Sequence, residues 1–306
     1  MPTKKSNVLA PKTKEHLIST LSHFDNEEMS LIMAWVYGKS KNTQRYCRRI
    51  LLDFFSHFPN TSLKSINVGH VTLFLNRFNH LKPGSRNLIL ATLSSLFKFL
   101  VMRKFLKENP CLGIKSERIP ERWHSKILSH QDIGEMIKRE PNIRNKLILR
   151  ILYLTGIRRS ELNRLQKKDF LVREDGKIQM TVLGKGSKIR SLLINQSLWN
   201  SLKSYMNESR VVEDKDYLFP SVKTKASPLS DQQIYVIVKN AANRIGKPAS
   251  AHWFRHSSAT HAIEKGAPLH VVQRTLGHAS LATTGKYLDA RPNESNADYL
   301  KDPEIE

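Results

Sequence analysis

The chain has 306 residues, long enough for two domains that each bury a core of their own. Its 50 Lys and Arg residues outnumber its 27 Asp and Glu residues, which gives a formal net charge of +23 and favours a polyanionic partner. The excess is not confined to a basic tail, because 19 basic and 7 acidic residues lie in the first 120. A basic surface that serves only solubility is the alternative.

The cysteine count and the hydropathy of the chain exclude several classes of protein. Cys47 and Cys111 are too few and too isolated for a disulfide framework or a zinc site, and we expect both to be idle thiols in a reducing cytosol. The N-terminus lacks the apolar segment of a signal peptide, and no apolar run approaches the ~20 residues of a membrane span. The sequence therefore predicts a cytoplasmic protein without a membrane partner.

The first 110 residues have the pattern of a small helical domain. In TQRYCRRILLDFFSHF (43–58) the apolar residues recur at helical spacing, and Pro59 ends the pattern. Helices are also predicted near 26–38, over 68–80, and from the Pro83-Gly84 turn through residue 106. Residues 111–126, with a glycine, a proline and several basic residues but no periodicity, are predicted to be a linker lying along a phosphate backbone.

The second domain is predicted over residues 127–290. Ser129 is a suitable N-cap for its first helix, and an apolar helix follows over 144–155. Two strand-like runs, KIQMTV and IRSLLI, flank the turn LGKGSK and predict a β-hairpin, the one clear β signal. The rest is predicted to be helical, and residues 291–306 form an acidic tail.

Several polar residues of this domain are candidates for chemistry, although each has an ordinary explanation when taken alone. His252 and Arg255 are neighbours on one helical face, Gly277 ends a helix and exposes His278, and Tyr287 follows. Arg158 begins a helix, where the dipole favours an anion, and Glu161 is placed to brace an arginine from within the fold. Each of these patterns also occurs where the residues serve only the core or the solvated surface.

Two other kinds of site, a Walker A loop and a zinc site, do not fit the sequence. Lys185 lies in the hairpin turn, which does not have the spacing of a Walker A loop. His252 and His256 are spaced like two zinc ligands, but Trp253 stands where a zincin-type helix has glutamate, so no metal is predicted.

In this order, the motifs resemble those of the tyrosine recombinases, the phage integrase family. The resemblance covers 127–290 with specific motifs and 25–110 more loosely. Phe254 stands where the family more often has leucine. The matching motifs are TGIRRSEL (155–162), LGKG (183–186), HWFR (252–255), LGH (276–278) and a tyrosine nine positions after that histidine.

The resemblance implies a mainly helical fold with a small β-hairpin or sheet. It implies a helical core-binding domain over 1–110 and an α+β catalytic domain over 127–290, which form a C-shaped clamp on DNA. The implied activity is that of a site-specific recombinase, which cuts and rejoins DNA through a 3′-phosphotyrosine intermediate. No ATP, metal or other cofactor is implied.

The resemblance also implies a role for each motif residue. Tyr287 is the nucleophile, and Lys185 is the general acid for the departing 5′-oxygen. Arg158 and Arg255 contact the non-bridging oxygens, for which planar guanidinium groups are suited. His278 adds a third donor, and His252 accepts the tyrosine proton or orients the phosphate. Glu161 supports the site. Phosphate contacts elsewhere are predicted for Arg45, Arg48, Arg49, Arg86, Lys188 and Arg190.

The expected partners are double-stranded DNA and further copies of the chain. We expect a monomer or dimer off DNA and a tetramer on two sites, with the 291–306 tail contacting a neighbouring subunit and an accessory directionality protein as a further partner. The nucleoid is the expected location when DNA is bound. A mobile-element integrase or excisionase is the first expectation for the biological role, and a chromosome-dimer-resolving recombinase is the second. A type IB topoisomerase and a non-catalytic sequence-specific DNA-binding protein are the alternatives.

Overall fold

The computed structural model describes residues 24–119, 126–184, 188–209, 211, 213–221, 227–278, 280 and 283–285. The chain divides into two compact units, Met1–Glu121 and Arg122–Glu306. Each has its own hydrophobic core. The division falls inside the predicted linker.

The N-terminal unit is helical, as the sequence predicts. Three of its helices begin at a side chain that accepts a hydrogen bond from the first turn, namely Asp25, Ser40 and Asn67. The fourth begins at Pro83, whose fixed φ suits the first helical position. In the described residues these helices are α1 (Asn26–Tyr37), α2 (Lys41–His57), α3 (Val68–Asn76) and α4 (Pro83–Met102).

Aromatic rings fill the centre of this unit. The Phe54 ring lies edge-on to that of Phe74 at 5.0 Å and to that of Phe97 at 6.4 Å, and so joins α2, α3 and α4. In the described part of the chain, α4 is the one helix long and apolar enough to cross a membrane by length and composition. Arg86 and Lys98 interrupt its apolar residues, and Leu93, Leu96 and Leu100 lie fully buried in the core of the unit, so α4 packs as a core helix.

The segment after α4 remains attached to the N-terminal unit. Cys111 is buried in its core. The Asn87 side chain donates to the Glu117 carbonyl at 2.8 Å and accepts from the Glu117 N–H at 2.9 Å, while Arg86 pairs with the Glu117 carboxylate. The predicted linker therefore does not begin at residue 111, because the chain is fixed to this unit through Glu117.

The C-terminal unit combines helices with a small sheet. Its first helix is capped at Ser129, as predicted: the Ser129 hydroxyl accepts from the Asp132 N–H, and the Asp132 carboxylate accepts from the Ser129 N–H. In the described residues its helices are α5 (His130–Lys138), α6 (Ile143–Thr155), α7 (Arg159–Leu162), α8 (Gln196–Ser209), α9 (Asp231–Asn243), α10 (Ala251–Glu264) and α11 (Leu269–Leu276), and its strands are β1 (Phe170–Val172), β2 (Ile178–Leu183) and β3 (Ile189–Ile194).

Helix α6 lies at the centre of this unit, with Leu147, Ile148, Leu149, Ile151 and Leu152 all fully buried. It packs against α5, α8 and α10. A helix that is apolar on most of its circumference requires such surroundings.

The three described strands form an antiparallel sheet in the order β1-β2-β3. The predicted hairpin is β2 and β3, whose register pairs Met180 with Leu192, and both side chains are buried in the core. Strand β1 was not predicted. It pairs Phe170 with Met180. The mainly helical fold with a small sheet agrees with the expected fold class.

Candidate active site

The candidate site begins at the end of α6. Gly156 caps this helix in the left-handed conformation, with φ 58°. A side chain at Gly156 would be strained by that φ and would place its Cβ 2.7 Å from the Leu276 side chain. The tight turn leads directly to Arg158, which is the N-cap of α7. The glycine therefore brings the start of α7 close to the end of α11.

Glu161 fixes two arginines from the interior of the unit. Its side chain is 2% exposed. One carboxylate oxygen accepts from the Arg158 guanidinium at 2.9 Å and the other from the Arg158 backbone N–H at 2.8 Å. The Arg190 guanidinium donates to both oxygens, at 2.9 and 2.8 Å. Glu161 thus braces Arg158 and Arg190 from within the fold.

The ionised state of Glu161 is maintained by these donors. Burial raises the pKa of its carboxyl, but the hydrogen bonds from Arg190 and Arg158, together with the charge of Arg190, outweigh burial and hold the pKa below its ordinary value. Because both oxygens stay charged, Arg158 is held at one end while its side chain remains 38% exposed. This arginine is fixed and still accessible to an anion.

Arg255 is buried on α10 and bridges two backbone segments. Its guanidinium donates to the Gly156 carbonyl at 2.6 Å and to the Leu276 carbonyl at 2.7 Å. Both carbonyls lie at helix C-termini, where a cation is favoured. These bonds go to neutral acceptors and leave the positive charge of the guanidinium in place.

His278 follows α11, after Gly277 has ended the helix with φ 66°. Its Nδ1 lies 2.9 Å from the Thr284 hydroxyl, which orients the ring. Burial, followed by the charges of Arg255, Arg158 and Arg190, lowers the pKa of His278 to about 4. The imidazole is therefore neutral at pH 7, and the arginines are close enough to act on it.

His252 and His256 stand one turn apart on α10, with ring centroids 4.2 Å apart. His252 is exposed, and partial desolvation followed by the charge of Arg255 lowers its pKa. His256 is buried, and its burial is the main cause that lowers its pKa to about 3. The sequence did not single out His256 beyond the zinc-like spacing with His252.

His256 is expected to make folding stability depend on pH. Its neutral form is favoured in the folded state, so its contribution is complete above the ordinary value of about 6.5 and is lost as the pH falls toward 3. Between pH 7 and pH 5, the free energy of unfolding of the wild type should fall by about 2 kcal/mol more than that of His256→Gln. Urea unfolding at both pH values measures this difference. Equal losses in the two proteins would contradict the assignment.

The structure brings together Arg158, His252, Arg255 and His278 of the six predicted catalytic residues. The charges of Arg158 and Arg255 act on both histidines, so the four belong to one site. Lys185 and Tyr287 lie outside the described residues, as does the 291–306 tail. Thr284 was not predicted, because nothing in its spacing marks it as a partner of His278.

The predicted phosphate contacts divide into two groups. Arg45, Arg49 and Lys188 are exposed, and Arg48 is half-buried. Arg86 and Arg190 instead make internal bonds: Arg86 holds Glu117 and the Asn79 carbonyl, and the Arg190 side chain is only 12% exposed. For these two, the structure shows a contact within the protein in place of the expected open surface.

A second cluster of polar residues lies on α5, α6 and α10. The Tyr153 hydroxyl is 2.8 Å from His130 Nδ1 and 3.0 Å from His261 Nδ1, and the two imidazoles stack with centroids 3.7 Å apart. With Glu264 these histidines have ligand atoms within 4.8 Å of one another. The Nδ1 atoms of both histidines are already engaged by the Tyr153 hydroxyl. The cluster is a hydrogen-bonded brace between helices.

Comparison with known proteins identifies the family. The family model described as "Phage integrase family" matches residues 126–294, more than half of the chain. The chain belongs to the phage integrase family. The tyrosine recombinase XerD of Rickettsia bellii is 31% identical over 290 residues, which cover 86% of this chain and 93% of that protein. As a member of the phage integrase family, this chain is a site-specific DNA recombinase, as its motifs implied.

Solved structures have the same fold. The XerH recombinase bound to its difH substrate, in a pre-cleavage complex, superposes with a TM-score of 0.63 and 24% identity over 89% of this chain and 90% of that one. A λ integrase tetramer bound to a Holliday junction has a TM-score of 0.70 and 17% identity, over 91% of this chain and 82% of that one. At these identities the likeness is one of fold.

Proposed function

We propose that this recombinase cleaves and rejoins DNA with Arg158, Lys185, His252, Arg255, His278 and Tyr287 as its catalytic residues. The observation that carries the proposal is that Arg158 and Arg255 lie close enough to His278 to lower its pKa, with both guanidiniums held by bonds within the protein. Preorganised donors of this kind are each worth about 3–4 kcal/mol of transition-state stabilisation when an oxyanion develops.

The chemistry follows from the charges of these groups. Tyr287 attacks the scissile phosphorus, and a phosphotyrosyl bond forms as the bond to the 5′-oxygen breaks. The two arginines take the charge that develops on the non-bridging oxygens, and His278, neutral at pH 7, donates a further hydrogen bond. Lys185 gives its proton to the leaving 5′-oxygen. His252, also favoured in its neutral form, is the candidate to accept the proton of Tyr287.

For the biological role we favour the resolution of chromosome dimers over the integration of a mobile element. The support is that relatives at about a third identity carry Xer names and are matched over nearly their full length. This reverses the order that the sequence alone suggested. Recombination between two sites on one chromosome, as opposed to insertion into a new one, is the outcome that distinguishes the two roles.

Duplex DNA and other copies of the chain are the proposed partners. Similar folds occur in a DNA-bound λ integrase dimer and in a tetramer on a Holliday junction, and we propose a tetramer on two sites here as well. A chromosomal substrate places the enzyme in the cytoplasm, at the nucleoid. An accessory directionality protein stays a prediction from the sequence.

The test is capture of the covalent intermediate on DNA of unknown sequence. Purified protein is incubated with sheared chromosomal DNA from its source in EDTA, stopped with SDS, and the DNA that remains attached to protein is sequenced. We expect one short site, joined to the protein at a 3′ end. Tight binding with no attached DNA would support the non-catalytic alternative, and attachment spread over many sequences would support a topoisomerase.

Salt should weaken DNA binding steeply, because the net charge of +23 is spread over the chain and several phosphates are contacted. With about 6–10 phosphate contacts, the affinity should fall by about 10³–10⁵ between 50 and 200 mM salt. Fluorescence anisotropy on the recovered site measures the slope. An affinity that does not change with salt would contradict binding through the phosphate backbone.

A further inference from the structure

Arg190 connects three segments of the candidate site. It lies on β3, the second strand of the hairpin, five positions after Lys185 in the sequence. Its guanidinium makes a two-bond pair with Glu161, at 2.9 and 2.8 Å, and its Nε donates to the Thr275 carbonyl at 3.0 Å. One side chain thus joins the hairpin to the start of α7 and to the end of α11, just before Gly277 and His278.

The packing around Arg190 leaves little freedom. A Cβ on Gly277 would lie 3.1 Å from Arg190 Cδ and 3.2 Å from its Nε. A Cβ on Gly184 would lie 3.2 Å from an Arg190 terminal nitrogen. The glycines of two motifs, LGKG and LGH, are therefore positions where backbone closely approaches this one guanidinium.

Arg190 and Arg158 share a single carboxylate. Because Glu161 is almost fully buried, the direction of its two oxygens is set by the groups that donate to them. The Arg190 guanidinium donates to both oxygens, and Arg158 donates to one with its guanidinium and to the other with its backbone N–H. Removing Arg190 would free Glu161 to rotate and would shift Arg158 with it.

We propose that Arg190 is a positioning residue, which fixes Arg158 through Glu161 and fixes the turn before His278 through the Thr275 carbonyl. It thereby sets the distance between two groups that meet the scissile phosphate. This inference rests on the proposed function and replaces the direct phosphate contact expected for Arg190 from the sequence. Lysine is not equivalent at this position, because one ammonium cannot form both the planar pair and the bond to Thr275.

The experiment compares Arg190→Lys with Arg244→Lys in the full-length protein. Arg244 also pairs with a buried carboxylate in the same unit, that of Glu140, and among the described residues it makes no hydrogen bond with Arg158, His252, Arg255 or His278. The substrate is a nicked duplex of the sequence recovered by covalent capture. The measurements are the cleavage rate at saturating DNA, the dissociation constant, the dependence of affinity on salt, and thermal unfolding.

We expect Arg190→Lys to slow cleavage at saturating DNA by about 10²-fold, the size associated with small misplacements of catalytic groups. Its affinity and salt slope should match those of Arg244→Lys, which should cleave at the wild-type rate. Cleavage of Arg190→Lys at the wild-type rate would overturn the proposal. So would a loss of affinity in Arg190→Gln with a salt slope reduced by about one, because loss of the charge at a phosphate contact has that signature.

A second measurement requires neither DNA cleavage nor a variant of high thermal stability. The charge of Arg190 is one of the causes that lower the pKa of His278. In DNA-free protein at low temperature, Arg190→Gln should raise the pKa of His278, measured by NMR titration, whereas Arg244→Gln should not. An unchanged titration would overturn the placement of Arg190. If the wild type forms no adduct but this shift occurs, the proposed function fails while the placement stands.

Discussion

Replacing Tyr287 with phenylalanine should abolish the SDS-resistant adduct and all strand exchange. The phenyl ring has no hydroxyl, so no phosphotyrosyl bond can form, and the reduction should exceed about 10⁴-fold, the lower range of a lost catalytic nucleophile. DNA affinity should change by less than about threefold, because one hydroxyl among many phosphate contacts contributes little to binding. The measurement is adduct formation on the recovered site beside anisotropy on the same duplex.

Tyr235→Phe is the matched control for that experiment. This tyrosine lies on α9 of the same unit, is 37% exposed, and among the described residues makes no hydrogen bond with Arg158, His252, Arg255 or His278. It should form adduct at the wild-type rate. Adduct formation by Tyr287→Phe would assign the covalent bond to another residue and would refute the residue roles proposed above.

Arg255→Lys should lower the cleavage rate at saturating DNA by about 10²–10³-fold, which corresponds to one preorganised donor of about 3–4 kcal/mol. Lysine keeps the charge but cannot bridge the Gly156 and Leu276 carbonyls, which are 2.6 and 2.7 Å from the two terminal nitrogens. A buried carbonyl left without its donor costs about 1–3 kcal/mol, so the melting temperature should fall as well.

The control for Arg255→Lys is Arg150→Lys. Arg150 also makes two hydrogen bonds, to the Ser201 and Ser197 hydroxyls, but these bonds join α6 to α8. It should leave the cleavage rate unchanged. If Arg255→Lys cleaved at the wild-type rate once saturated with DNA, Arg255 would be a structural residue alone.

Most of the fold could be predicted because its helices are specified locally. Ser129 begins α5 and Gly156 ends α6 where the sequence indicates, since caps depend on residues within one turn. Strand β1 could not be predicted. It has three residues, and it exists because β2 offers partners six to ten positions away. Short strands carry too little periodicity of their own.

The candidate site was predicted as far as its residues are set by local motifs. Arg158, His252, Arg255 and His278 occupy turns or helical positions that their own neighbours define, and the structure brings them together. The position of Arg190 depends on contacts 29 residues back, with Glu161, and 85 residues ahead, with Thr275. No pattern within β3 distinguishes an arginine that faces DNA from one that faces a buried carboxylate.

The two hydrogen bonds of Arg255 to the ends of two helices have a consequence for the evolution of the protein. Catalytic residues are commonly a burden on stability, so a lineage that loses activity can become more stable by replacing them. Replacing Arg255 would instead lower the stability of the fold, because its guanidinium donates hydrogen bonds to carbonyls at the C-termini of α6 and α11. A descendant that binds DNA without cutting it should therefore retain Arg255 and vary first at Tyr287. In diverged relatives, an arginine retained at this position without the other catalytic residues would indicate a structural role and not a surviving activity.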